Sequence, residues 1–169
     1  IAELRTKLVE KGIDKNTLII FTSDNGPEFT GDFFGSSGGF RGKKRDVSEG
    51  GIRMPTVVVW PGVVKAQTKI ALPSALWDLL PTFCEIAQIE SAVKTDGISI
   101  LAALKGDKSL EQQKRVLYWE FNEGKGPQQA IRFGKWKAIR QWDKKAAGFG
   151  ALQLYDLEKD LGEARDLAS

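Results

Sequence analysis

Four apolar residues in a row, Leu18-Ile19-Ile20-Phe21, run directly into Thr22-Ser23-Asp24-Asn25-Gly26-Pro27. A short continuous apolar run closed by turn formers predicts a strand buried on both faces, the pattern of a parallel sheet in an α/β fold. Open sheets of that kind gather ligands beyond the carboxyl ends of their strands. The run therefore delivers Asp24 and Asn25 to the place where an α/β protein puts its chemistry. A carboxylate and an amide oxygen are donor types that calcium or magnesium prefers. The same Asp-Asn-Gly-Pro sequence also suits an Asx turn or a cap with no ligand.

The stretch that follows is long and rich in glycine, with Gly31, Gly35, Gly38, Gly39 and Gly42 preceding Gly50 and Gly51, and Phe29, Phe33, Phe34 and Phe40 set among them. Glycine lets backbone amides approach an anion, and the phenylalanines can pin the loop to the body. Loops of this length are commonly functional. It is not a P-loop: Ser37 stands where glycine is required, and Lys44 follows Lys43 where serine or threonine should. Oxygen donors at a strand tip beside a loop carrying Lys43, Lys44 and Arg45 predict a site for a metal and an anion together.

Composition removes other chemistries. The 169 residues contain no histidine and one cysteine, so a Ser-His-Asp triad, a Cys-His pair, an imidazole-bound zinc and an internal disulfide cannot be built from them. A net charge of +3, with basic and acidic residues interspersed, argues against a nucleic-acid partner. No apolar run approaches the roughly 20 residues that span a bilayer, so no membrane partner is expected. A content of 41% hydrophobic and 28% charged residues is that of a globular protein.

Taken in order, residues 1–12 read as an amphipathic helix closed by Gly12, and a second buried strand covers 56–60 before the turn at Pro61-Gly62. A helix feeding a buried strand with too few neighbours to cover its edges predicts a piece of a larger α/β domain. From Pro73 onward Leu76, Leu80, Phe83, Cys84 and Ala87 recur at helical spacing, which makes Cys84 a core residue. The polar stretch 106–115 is the candidate boundary. Beyond it, alternating segments at 116–121, 128–133, 136–140 and 152–157, separated by turns, predict an antiparallel sheet of about four strands. The expected organisation is thus an α/β part over 1–105, a fragment of a mixed and mostly parallel sheet with flanking helices, and a small antiparallel β part over 106–169. Trp119, Trp136 and Trp142 fall in the second part, where they either pack the sheet or offer a carbohydrate-contacting surface.

The order Thr-Ser-Asp24-Asn25-Gly-Pro, then Gly42-Lys43-Lys44, then Glu49-Gly-Gly-Ile-Arg53-Met-Pro and a valine-rich strand ending Trp60-Pro-Gly resembles the sulfatase (arylsulfatase) family of the alkaline phosphatase superfamily, in its C-terminal portion. Leu79-Leu-Pro-Thr-Phe, Arg132-Phe-Gly-Lys-Trp-Lys and Leu154-Tyr-Asp-Leu-Glu-Lys-Asp extend the likeness along nearly the whole chain. The resemblance implies hydrolysis of sulfate monoesters. It implies Asp24 and Asn25 as Ca2+ ligands and, from the spacing to the Glu49 motif, Lys44 rather than Lys43 as the catalytic and sulfate-binding cation. Glu49 and Arg53 would be structural. The family's Cys-x-Pro-x-Arg motif, source of its formylglycine nucleophile, has no counterpart here, so the nucleophile and the other calcium ligands would come from the remainder of the catalytic domain and this chain alone would be inactive. A sulfated small molecule or carbohydrate is the implied substrate, in a periplasmic, extracellular or lysosomal setting. Alternatives are a phosphonate or phosphate monoester hydrolase of the same superfamily, and a non-catalytic carbohydrate-binding or interaction module.

Overall fold

The computed structural model describes residues 1–29, 35–90, 93–123 and 126–168. The expectation that Phe33 and Phe34 pin the glycine-rich loop lies outside the described residues. The chain forms two compact units: residues 1–22 with 56–113, and residues 23–55 with 114–169. Residues 23–55, which the sequence groups with the α/β part over 1–105, belong to the second unit.

In the first unit, helix α1 spans Ala2–Glu10, and Gly12 follows it at φ +66°, a left-handed geometry that costs glycine little. Strand β1 (Ile19–Phe21) pairs with β2 (Val57–Val59), with Ile19 opposite Val59 and Phe21 opposite Val57. This pairing is antiparallel, which corrects the parallel direction expected for these strands within an otherwise α/β fold. An apolar run reports burial and carries no information on the direction of the neighbour. Burial is also partial here: Phe21 is 54% and Val57 55% exposed, so neither strand is covered on both faces.

The rest of this unit is held by buried polar groups. Helix α3 (Leu79–Ala87) follows a short 3-10 turn at Leu76–Asp78, and Pro81 sits in its first turn, where the missing amide costs nothing. Asp78 is fully buried and accepts the amides of Ala75 (2.8 Å) and Ile98 (3.0 Å). Thr82, equally buried, donates to the Asp78 carbonyl (2.6 Å) and accepts the Ile100 amide (3.0 Å). These bonds join α3 to the segment that enters helix α4 (Leu101–Leu104), whose Leu101, Ala103 and Leu104 are buried. Cys84, expected in the core, is only half-buried on α3.

In the second unit, helix α2 (Glu49–Ile52) is a single turn that follows the glycine-rich loop. The antiparallel sheet comprises β3 (Val116–Phe121), β4 (Gln128–Phe133), β5 (Trp136–Asp143), β6 (Gly148–Phe149) and β7 (Gln153–Asp156). Five strands form instead of about four, in the order β3-β4-β5-β6, with β7 also paired to β5. The extra strand is two residues long, too short to show alternation, and is held by the edge contact of Trp142 with Phe149 at 5.9 Å. Alternation determines the inward face: Leu117 on β3, Ala130 on β4 and Ile139 on β5 are buried, and Ala130 lies opposite Ile139. The core of the unit is Val47, Ala130, Ile139, Tyr155 and Leu157, with Trp119 and Phe121 packed against it. Covering one such aliphatic side chain contributes about 1.5–3 kcal/mol. Of the three tryptophans in this part, Trp119 therefore packs the core, while Trp136 and Trp142 are 40% and 36% exposed.

Candidate functional site

The Asp24-Asn25 turn and the loop of Lys44 meet within the second unit. Asp24 is exposed and Asn25 half-buried. The Ser23 hydroxyl donates to the Asn25 carbonyl (3.0 Å), which closes the turn. Gly26 then donates its amide to the Gly51 carbonyl at 2.8 Å, and Lys44 donates its amide to the Pro27 carbonyl at 2.9 Å. The two backbone bonds fasten the oxygen-donor turn to α2 on one side and to the lysine loop on the other.

Glycine is required at this junction for lack of room. A Cβ at Gly26 would stand 1.8 Å from the Gly50 carbonyl oxygen, and one at Gly51 would stand 2.0 Å from that of Asp46 and 2.6 Å from that of Lys43. The turn, the loop and the helix thus touch backbone to backbone. The glycines expected to let amides approach an anion serve here to let three chain segments approach one another.

The Lys44 side chain is 41% exposed, and its Nζ lies 4.0 Å from Glu28 Oε2. Arg45 takes both oxygens of Glu28, at 2.7 and 2.9 Å, from a backbone at φ +74°. Gln128 donates to the Arg45 carbonyl at 2.8 Å and so steadies that conformation. A left-handed non-glycine residue costs about 1–3 kcal/mol and persists where its surroundings hold it. Beside the turn lies a cleft of about 600 Å³ whose walls include Ser23, Asn25, Phe40, Arg53 and Met54. Asn25 reaches it; Asp24 and Lys44 are not among its walls.

Asp24 and Asn25 fit a hard cation in donor chemistry but not in number. Calcium takes about six to eight oxygens, and among the described residues no cluster of three metal-ligating acidic, histidine or cysteine side chains occurs. The pair is chemically suited to complete a site and insufficient to form one.

Glu49 and Arg53 pair with each other, and Glu49 has further partners that the sequence did not reveal. Glu49 is 2% exposed; its Oε1 lies 2.9 Å from Lys137 Nζ and its Oε2 3.2 Å from Arg53. Lys137, fully buried on β5, also lies 2.9 Å from Glu163 Oε1. Glu163 Oε2 accepts the backbone amide of Glu49 at 2.9 Å, and Arg41 approaches the same oxygen at 3.6 Å while donating to the Tyr155 hydroxyl at 2.7 Å. Burial alone would raise the Glu49 carboxyl; the charge and hydrogen bond of Lys137, with Arg132 and Arg53, outweigh it and hold the group below the usual glutamate range. One signal for Lys137 is present in the sequence: it shares strand parity with Ile139, and a lysine on a core-facing position requires a counter-ion. Glu163 has no such signal.

The first unit is thus α/β, and the second carries an antiparallel sheet and an oxygen-donor turn strapped to a lysine loop. The sulfatase family model matches residues 1–89, and the chain belongs to the sulfatase family. Human arylsulfatase A is 34% identical over 140 residues, 82% of this chain and 27% of that protein. The N-acetylgalactosamine-6-O-sulfatase of Bacteroides thetaiotaomicron is 29% identical over 189 residues, 99% of this chain and 36% of the relative. The crystal structure of Ps i-CgsB in complex with k-i-k-neocarrahexaose superposes with a TM-score of 0.80 at 26% identity, covering 99% of this chain and 36% of that one. The chain thus spans 27% to 36% of the length of these relatives, the first two of which are sulfatases by name. Among the described residues, no helix is long and apolar enough to cross a membrane.

Proposed function

We propose that this chain forms the C-terminal part of a sulfatase that hydrolyses sulfate monoesters, in which Asp24 and Asn25 donate oxygens to Ca2+ and Lys44 grips the sulfate. The observation that carries the reading is the pair of backbone bonds, Gly26 to Gly51 and Lys44 to Pro27, which fasten the donor turn to one short helix and to the lysine loop. The ammonium of Lys44 is a compact charge able to neutralise oxygens of a tetrahedral anion as charge builds on the leaving group. Asp24 and Asn25 would hold a calcium ion, which would supply further positive charge beside the anion. The nucleophile, a formylglycine by family likeness, and the remaining metal ligands belong to the rest of the catalytic domain.

Sulfated carbohydrate is the proposed substrate class. It is supported by the relative named for N-acetylgalactosamine 6-O-sulfate and by the neighbour solved with a neocarrahexaose. The half-buried Asn25 and the Arg53 guanidinium, stacked 5.0 Å from the Phe40 ring, give the adjoining cleft polar and aromatic walls suited to a sugar. A periplasmic, extracellular or lysosomal setting is part of the same proposal. The test is to express the full-length gene product and assay sulfate release from 4-nitrophenyl sulfate and from a 6-O-sulfated amino sugar. Release from either that falls in a Lys44→Ala variant supports the reading; phosphate monoester turnover without sulfate release overturns it.

A further inference from the structure

Lys137 is a fully buried cation that no step of the proposed hydrolysis uses. Its ammonium is held between Glu49 and Glu163, at 2.9 Å from each. Buried ion clusters replaced by apolar residues of similar volume are often no less stable, so stability alone does not account for this one. What the cluster controls is position. Glu49 opens α2, and its amide is held by Glu163. The next amide, Gly50, donates to the Arg41 carbonyl at 2.7 Å, and the carbonyls of Lys43 and Asp46 occupy the space that a Cβ on Gly51 would fill. Lys44 lies between those two carbonyls in the chain, and the Asp24-Asn25 turn hangs from the Gly51 carbonyl through Gly26.

We propose that Lys137 is a positioning residue: by clamping Glu49 and Glu163 it sets, through the backbone of α2, where Lys44 and the Asp24-Asn25 turn stand relative to each other. The role of those three residues rests on the sulfatase reading, whereas the clamp rests on the ion cluster alone. Lysine suits this task because one ammonium donates to Glu49 and is paired by charge with Glu163 at the same time.

The test uses the full-length gene product with Lys137→Met, Lys44→Ala and the double variant. The expected result is a loss of kcat/KM on 4-nitrophenyl sulfate of about 10²-fold for K137M, the scale of a misplaced catalytic contact. In the K44A background the same change should add no further loss, to within about twofold. Hydrogen exchange should show the amides of Lys44 and Gly26 losing protection in K137M while the β3–β4 ladder keeps it. Where K137M fails to fold, Lys137→Met with Glu163→Gln, which removes a carboxylate along with the cation, takes its place. Equal losses in the wild-type and K44A backgrounds, or unchanged protection at Lys44 and Gly26 in a folded variant, overturn the proposal. A wild type that releases no sulfate refutes the reading of the site instead, and the exchange measurement then decides the role of Lys137.

Discussion

The amide of Lys44 donates to the carbonyl of Pro27 at 2.9 Å, two residues beyond Asn25. A backbone bond holds the main chain of the loop and leaves the ammonium free to turn between Glu28 and an incoming anion. Replacing Lys44 by alanine in the full-length protein should therefore lower kcat/KM on an aryl sulfate by about 10²–10³-fold, as loss of a group that stabilises developing negative charge does. The melting midpoint should barely move, since the side chain is 41% exposed and lies 4.0 Å from its partner Glu28. Steady-state kinetics and a thermal melt on one preparation check both, and activity within a few-fold of wild type would remove Lys44 from the site.

Calcium should bind weakly to these 169 residues by themselves. Two donors, Asp24 and Asn25, cannot replace a shell of about six oxygens. Calorimetric titration of the chain should give no submicromolar site, and its aryl sulfatase activity should be nil. A tight site, or turnover by the chain alone, would refute the division of the catalytic apparatus proposed above.

Crowding at Gly51 predicts a sharp contrast between glycines. Gly51→Ala places a methyl group 2.0 Å from the Asp46 carbonyl oxygen and should cost about 1–3 kcal/mol or more, as overpacking does. Gly35→Ala has open space around its Cβ and a φ of +50°, so only the left-handed backbone is penalised, by about 1 kcal/mol. Urea unfolding of both variants measures the difference, and equal costs would contradict the close approach.

The Glu49 carboxyl links this junction to pH. Its value in the folded chain is depressed because Lys137, Arg132 and Arg53 outweigh the effect of burial. A depressed carboxylate contributes stability that is present above its unfolded value, about 4.3, and is lost as pH falls through the folded value. Glu49→Gln should lower stability near neutral pH by about 3 kcal/mol, the scale of a broken buried pair, and should flatten the acid limb of the stability profile. Denaturant titrations at several pH values between neutrality and the acid limb test this. A variant with the same acid slope as wild type would assign that slope to other groups.

Thr82→Val should separate α3 from the segment it anchors. The hydroxyl is buried and bonded to the Asp78 carbonyl and the Ile100 amide, so its loss removes the acceptor of the Ile100 amide, at about 1–3 kcal/mol. Loss of exchange protection at Ile100 is the specific readout, and unaltered protection there would contradict it.

Local pattern was legible where one strand or one turn carried the signal. The bounds of β3 and β4 follow from alternation between turn formers, and the oxygen-donor turn after β1 follows from an apolar run that ends in Asp-Asn-Gly-Pro. The direction of β2, the two-residue β6 and the pairing of Arg45 with Glu28 were not legible, since each depends on a partner distant in the chain.

The residue types of the proposed site and the family likeness were thus written in the chain itself, because chemistry at a turn needs particular side chains at short spacing. Folding alone brought residues 23–55 and 114–169 into one unit and buried Lys137 between carboxylates from positions 49 and 163. Parity with Ile139 turns Lys137 toward the core, but it can be buried there only when acidic groups distant in the chain arrive to neutralise it.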